Sequence, residues 1–322
     1  RVQFKDGCIV SLFDKVLNQE FVQNGKKMGV FSGYTDVGDC WDIHPVNYQK
    51  SRRNAKCTSF ETNLDGARAT AMSELKLGAS TIRCLYILTQ NSEFLEMELT
   101  IDCHQKRQMM RVEFPVTVVS DECSFNVPFG HIKRATTENN SVEKAQYEVS
   151  GQKFVDMSND KYGISIINDC KYGYRCKGSI IDIDLIRNPL GGPGTNVDQG
   201  LHTLKLAVYT HSGELASDTY KYAYQINNTP VAVNGIGGLE NFAPFKCDND
   251  NIILESVKIA DDDNGAVLRL YNCSESVQKC AIGFDGYEVS GITDIMEDEV
   301  NAVGELLNFR PFELKLIKVI KL

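Results

Sequence analysis

Apolar and polar residues alternate in short runs along most of this chain, most clearly between Tyr147 and His202. Ile164 to Ile167 is an apolar, β-branched run bounded by Tyr162-Gly163 and Asn168-Asp169. Ile180 to Ile186 sets Asp182 and Asp184 between Ile181, Ile183 and Leu185. A period of two predicts a strand with one buried and one wet face, which puts both carboxylates on the solvent side. Between these runs, Lys171 to Gly178 carries aromatic and basic groups and reads as an exposed connection. After Arg187 comes Asn188-Pro189-Leu190-Gly191-Gly192-Pro193-Gly194, which can form neither a helix nor a central strand. A Gly/Pro-rich loop held between two strands is usually functional.

The same alternation recurs elsewhere. Val2-Gln3-Phe4 and Cys8 to Asp14 flank Lys5-Asp6-Gly7, a hairpin signal. Ala69 to Leu75, Thr81 to Thr89, Phe94 to Cys103 and Met109 to Val119 follow, separated by clusters of Gly, Asn, Asp or Ser. Many short strands with few helical stretches predict an all-β sandwich or barrel. The polar segment Glu214 to Tyr224 is the best helix candidate. Turn-rich Gln225 to Pro230 and the glycines between Val233 and Asn241 mark a boundary near residue 225. This gives a large β domain over 1–225 and a smaller one over 226–322. In the latter, Asn251 to Ala260 and Ala266 to Tyr271 flank Asp263-Asn264-Gly265, where Asn-Gly suits a two-residue turn. Glu313 to Val319 closes the chain as a strand with charges on one face.

Composition narrows the function. At 322 residues the chain can bury a sizeable core, and 42% apolar with 24% charged residues is ordinary for a globular protein. A net charge of −9 argues against a nucleic-acid partner, which would need clustered Lys and Arg. No apolar run approaches the roughly 18 residues of a membrane span. The first residue is Arg1 and no signal peptide is present, so this start is expected to be processed or an artificial boundary. Eleven cysteines occur singly, with no CxxC pair, which predicts reduced thiols and a cytoplasmic setting. The glycosylation-type sequons at Asn139, Asn227 and Asn272 are then silent.

Common reacting constellations are missing. The sequence has no HExxH, GxSxG, Walker loop or Rossmann fingerprint. Gly191-Gly192-Pro193-Gly194 lacks the Lys-Ser/Thr of a phosphate loop. Asp261-Asp262-Asp263-Asn264-Gly265 has the wrong spacing for a calcium loop, with no Glu at the bidentate position, and reads as a solvated turn. The five histidines are never paired at i, i+2 or i+4, so no local zinc motif exists.

Several strings nevertheless occur together and in order. They are Glu148-Val149, Lys153-Phe154-Val155-Asp156-Met157-Ser158, Tyr162-Gly163, Asn168-Asp169-Cys170-Lys171-Tyr172-Gly173-Tyr174, Leu185-Ile186-Arg187, then Asp198, Gly200, His202, and Ala207 to His211. With Phe129-Gly130, Asp39-Cys40-Trp41-Asp42-Ile43, Val267 to Tyr271 and Pro311 to Lys315, they resemble the C-terminal β region of family-38 glycoside hydrolases. These are the retaining α-mannosidases, and the likeness is to their cytosolic and bacterial branch. Ser32-Gly33-Tyr34-Thr35 stands where the family has Glu-Asp-x-Pro, a departure that bears on substrate preference.

The resemblance implies a large antiparallel sandwich (a supersandwich) followed by a smaller β-sandwich. It implies a two-step retaining displacement on mannose-containing oligosaccharides through paired carboxylates. The nucleophile, acid/base and zinc ligands would lie in an N-terminal catalytic domain that precedes this chain, so the chain alone is expected to be inactive and to hold no cofactor. Its contribution would be walls of the cleft. The candidates are the Arg187 to His202 loop, with Arg187, Asp198, Gln199 and His202, and the Lys171-Tyr172 turn, whose polar and aromatic groups suit sugar hydroxyls and a pyranose face. Each could equally cap a strand or hold a domain interface. Trp41 is expected in a core or interface. An apolar face bared by the missing domain would favour a homo-oligomer. An independent carbohydrate-binding or scaffolding module remains the alternative.

Overall fold

The computed structural model describes residues 1–49, 51–232, 234–235, 243–302, 304 and 306–322. Most of the glycine-rich 233–241 stretch lies outside them. Two compact units are present: Arg1–Asn126 with Ile132–Leu215, and Val127–His131 with Ala216–Leu322. The boundary expected near residue 225 falls within the helix Ser217–Asn227.

The first unit is built on two antiparallel sheets. One has six strands in the order Val149–Ser150, Gly173–Lys177, Ile180–Asn188, Gln108–Pro115, Val30–Thr35 and Arg52–Asn54. The other has nine, and its centre is Tyr162–Asn168, Gly200–Ser212, Phe94–Cys103 and Ser80–Thr89. Alternate residues of both sheets meet in one core. Phe31, Val112, Phe114, Ile181 and Ile183 come from the first, and Ile82, Met97, Leu99, Ile164, Ile166, Leu204 and Leu206 from the second. That shared core makes the pair a sandwich, as the alternation predicts. Asp6 and Gly7 have φ of 51° and 73°, the left-handed pair that a tight hairpin between Val2–Lys5 and Cys8–Asp14 requires.

Three details differ from the pattern. Lys171 to Gly178 is not an exposed connection: Gly173–Lys177 is a strand, with Tyr174 and Cys176 buried and the Tyr174 hydroxyl donating to the Gln152 carbonyl at 2.9 Å. The helix begins at Ser217 rather than Glu214, because Gly213 (φ 66°) turns the chain and the buried Thr219, Tyr220 and Ala223 define the apolar stripe. Lys56–Asp65 forms an edge strand exposed on nearly every residue, so no alternation marked it.

In the second unit a seven-stranded sheet contains Phe245–Cys247, Ile252–Ile259, Ala266–Asn272, Ile282–Phe284, Tyr287–Thr293 and Leu314–Lys321. Gln278–Cys280 pairs separately with Leu307–Phe309. Ile252, Leu268, Leu270, Phe309, Ile317 and Val319 form its core. The Asn-Gly turn is longer than two residues. Ile259 pairs with Ala266, Asp263 and Gly265 take the positive φ values, and Asp262 Oδ1 accepts from the Asn264 amide at 3.0 Å. Asp261 and Asp262 pair with Lys258 and Lys318. The sequon asparagine Asn272 is fully buried and donates to the Ser276 and Arg310 carbonyls, which leaves no room for a glycan.

Candidate functional site

The six-stranded sheet is buried on both faces at its centre, and its outer face carries charge. Gln108–Pro115 puts Met110, Val112 and Phe114 into the core and Met109, Arg111 and Glu113 on the other side. The segment 36–49 covers that outer face: Ile43, with half-buried Tyr48, packs against Tyr34 and Met109. Arg111 is fully buried, with Nε donating to Asp182 Oδ1 at 2.9 Å and Nη1 to Glu148 Oε2 at 3.0 Å. The Tyr48 hydroxyl donates to the same Glu148 carboxylate at 2.5 Å, and its ring lies under the guanidinium groups of Arg175 (4.6 Å) and Arg111 (5.6 Å). Glu113 accepts both Arg52 terminal nitrogens, at 2.7 and 2.6 Å, and the Tyr34 hydroxyl at 3.0 Å.

This overturns the expectation that Asp182 and Asp184 face solvent. Asp182 is 1% exposed, and Asp184 is half-buried with its Oδ1 enclosed. The alternation is real, but the polar face is roofed by a second layer that period-two logic does not see. Asp182 Oδ2, Asp184 Oδ1 and Arg175 Nε make no hydrogen bond among the described residues. Burial pushes the Asp182 carboxyl up to about 6, against the pull of Arg111, and the Asp184 carboxyl up to about 8. The layer is therefore held by charge pairing, with one carboxyl that ionises reluctantly.

Cross-strand register carries the arrangement along the sheet, with Arg111 opposite Asp184 and Met109 opposite Arg187. The Arg187 Nε donates to buried Asp36 at 2.9 Å. Its Nη2 donates to the Asp39 carbonyl at 2.7 Å and also to the Asp42 carbonyl. Asp36 Oδ1 in turn accepts the Asn47 side-chain amide at 2.8 Å and the Gly38 amide at 3.0 Å. Asp39 closes a tight turn by accepting from the Trp41 and Asp42 amides. One guanidinium thus gathers the whole 36–47 loop.

The Gly/Pro loop docks on the same loop. The Leu190 and Gly191 amides donate to the Gly38 carbonyl at 3.1 and 3.2 Å. Gly194 has to be glycine, since a Cβ there would lie 2.9 Å from that of Cys40, and one on Gly192 would lie 2.8 Å from the Cys40 sulfur. Trp41, expected in a core or an interface, is not in this chain's core: it is 75% exposed at the junction of the two loops. Its backbone is pinned, whereas its ring meets solvent.

The other expected residues are placed as follows. Asp198 exchanges hydrogen bonds with Asn188 and accepts the Arg187 amide at 3.3 Å, closing the loop at its base. Gln199 donates to the Gln105 carbonyl at 2.6 Å. His202 is half-buried opposite Ile101, and its Nε2 is enclosed without a partner among the described residues. Lys171 is tied by its amide to Asn168, and Tyr172 is 57% exposed. The next residue, Gly173, abuts Glu148 and Asp184, so this turn borders the carboxylate layer, while Arg187, Asp198 and Gln199 belong to the loop junction. Sequence reasoning missed Asp36, Asn47, Arg111 and Glu113. Arg111 and Glu113 left a signal: two charges inside an otherwise unbroken apolar run.

Among the described residues no three His, Cys, Asp or Glu side chains converge as a candidate metal-ligand group. A concavity of about 1000 Å³, bordered by Lys27, Arg52, Lys56 and Glu113, is lined by none of the expected site residues.

Residues 1–191 match the glycosyl hydrolases family 38 C-terminal domain, and residues 251–315 match that family's C-terminal beta sandwich domain. The chain belongs to glycosyl hydrolase family 38. It is 25% identical, over 98% of its length, to Alpha-mannosidase G of Dictyostelium discoideum. Over 81% of its length it is 30% identical to the Alpha-mannosidase of Saccharomyces cerevisiae. It spans 31% and 26% of those relatives, about a third of their length or less. A crystal structure of an alpha-mannosidase from Enterococcus faecalis superposes with a TM-score of 0.85 at 19% identity, covering 98% of this chain and 41% of that one. That likeness shows the shared fold. Within the family assignment, the 36–47 loop, Arg187 and the carboxylate layer fall inside the first matched region, while Asp198 and Gln199 lie just beyond it.

Proposed function

We propose that this chain is the supporting β region of a larger α-mannosidase that releases terminal α-mannosyl residues from oligosaccharides by a retaining mechanism. The observation that carries this is the family match over residues 1–191, combined with relatives about three times as long. On this reading the reacting carboxylates and the zinc ligands belong to a catalytic region outside the chain, and no chemical step is carried by residues here. The chain's own part is positioning. Arg187 and Asp36 hold two loops together so that Trp41 is presented on a fixed backbone, and a rigid aromatic face suits the apolar face of a pyranose. Asp198 and Gln199 at the loop junction, His202 on its strand, and Lys171 and Tyr172 beside the carboxylate layer are the further candidates for contact with the sugar. The unpaired thiols support a cytoplasmic setting, where such groups stay reduced.

Calorimetric titration of mannose into the isolated chain tests the reading against an independent carbohydrate-binding module. A supporting region gives no saturable heat, because one wall of a cleft does not make a site. Saturable binding in the micromolar range would instead favour the binding module.

A further inference from the structure

All eleven cysteines are free thiols, but they are not equivalent. In the second unit Cys247 ends the edge strand Phe245–Cys247, and Cys280 ends Gln278–Cys280. Cys247 pairs across the ladder with Ile282, which lies two residues beyond Cys280, so the two cysteines are diagonal neighbours on one face. The backbone between them is clamped. The Asp248 amide donates to the Ala281 carbonyl at 3.3 Å, the Ala281 amide to Asp248 Oδ1 at 2.8 Å, and the Asn249 side-chain amide to the Lys279 carbonyl at 3.0 Å. The Cys247 thiol donates to the Asn249 carbonyl at 3.5 Å, on the turn that faces Lys279 and Ala281. Cys247 is half-buried and reachable, whereas Cys280 is 1% exposed.

We infer that Cys247 and Cys280 form a thiol–disulfide exchange site, with Cys247 as the attacking thiol and Cys280 as the resolving one. The neighbouring Cys280 thiol pulls the Cys247 thiol down to about 7, so at neutral pH a large share is thiolate, the reactive form. The Cys247 thiolate attacks one sulfur of a low-molecular-weight disulfide such as oxidised glutathione. A mixed disulfide forms and one thiolate leaves. Cys280 then loses its proton to solvent and attacks the Cys247 sulfur, expelling the second thiolate. Two electrons pass from the protein pair to the small disulfide, which is reduced to two thiols. The product ties the edge strand to the segment that carries Cys280 and closes the stretch 247–280. Cys123 and Cys176 supply an internal contrast: both are buried, and burial pushes the Cys123 thiol well up.

The test equilibrates the full chain with oxidised glutathione and maps its peptides by mass spectrometry. The expected result is one cross-linked peptide pair joining Cys247 to Cys280, a mass lower by two hydrogens, and a raised melting temperature that reductant reverses. Cys280→Ser should trap a stable glutathione adduct on Cys247, and Cys247→Ser should abolish both cross-link and adduct. Should Cys280→Ser fail to fold, alkylation of the unaltered chain decides, since Cys247 should be modified several-fold faster than Cys123 and Cys176. The proposal is overturned if no Cys247–Cys280 peptide forms at any glutathione ratio. It is equally overturned if Cys123 and Cys176 react as fast as Cys247.

Discussion

Replacing Arg111 with methionine is the sharpest probe of the charged layer. The substitution keeps much of the side chain's length and removes a guanidinium that is fully buried between Asp182 and Glu148. Removing one partner of a buried pair typically costs about 3–5 kcal/mol, because the other charge stays buried and uncompensated. At a urea slope of about 3 kcal/mol per molar, the unfolding midpoint should fall by roughly 1–1.5 M at pH 8. The sign of the pH effect follows from Asp182. Burial already raises its carboxyl to about 6, and losing Arg111 raises it further. A group whose folded value is raised favours the fold when protonated and loses that contribution as pH climbs through the folded value. The deficit of Arg111→Met should therefore shrink at pH 5, where Asp182 is neutral, and Arg111→Met/Asp182→Asn should recover part of it at pH 8. Urea titration followed by circular dichroism at the two pH values checks this. A deficit below about 1 kcal/mol, or one that is equal at pH 5 and pH 8, would refute a paired layer.

Three further outcomes are expected. Asp184, pushed up to about 8 by burial, contributes stability that is lost as pH rises from the ordinary carboxyl range through that value, so Asp184→Asn should raise the melting temperature by a few degrees at pH 9 and by clearly less at pH 5. Gly265→Ala should destabilise the second unit by about 2 kcal/mol or more in thermal unfolding, since φ is +100° and the new Cβ would fall 1.9 Å from the Val319 carbonyl oxygen. Trp41→Ala should leave stability within about 0.5 kcal/mol, because the ring is exposed, but raise KM in the complete enzyme. An unchanged KM would remove Trp41 from the cleft.

The strands of the first unit were legible because they alternate, and the Asp6-Gly7 hairpin because its residues tolerate left-handed backbone. Lys56–Asp65 was illegible because an edge strand wet on both faces carries no apolar period. Asp182 shows the limit most clearly. Its alternation was read correctly and its environment wrongly, since whether a polar face meets water depends on what the distant 36–49 segment covers. For Trp41 only the core half of the expectation is excluded: the habit of burying large aromatics gave no hint that Arg187 would pin its loop outward. The site residues Arg187 and Asp198 were visible as a loop boundary, but their partner Asp36 lies 151 positions away from Arg187, beyond any local pattern.

The most direct test is hydrolysis of an aryl α-mannoside by the isolated chain and by the complete gene product, each with and without a metal chelator. The account predicts turnover by the complete product that the chelator abolishes, and none by the isolated chain. Turnover by the isolated chain that survives both chelation and Asp198→Asn would contradict it.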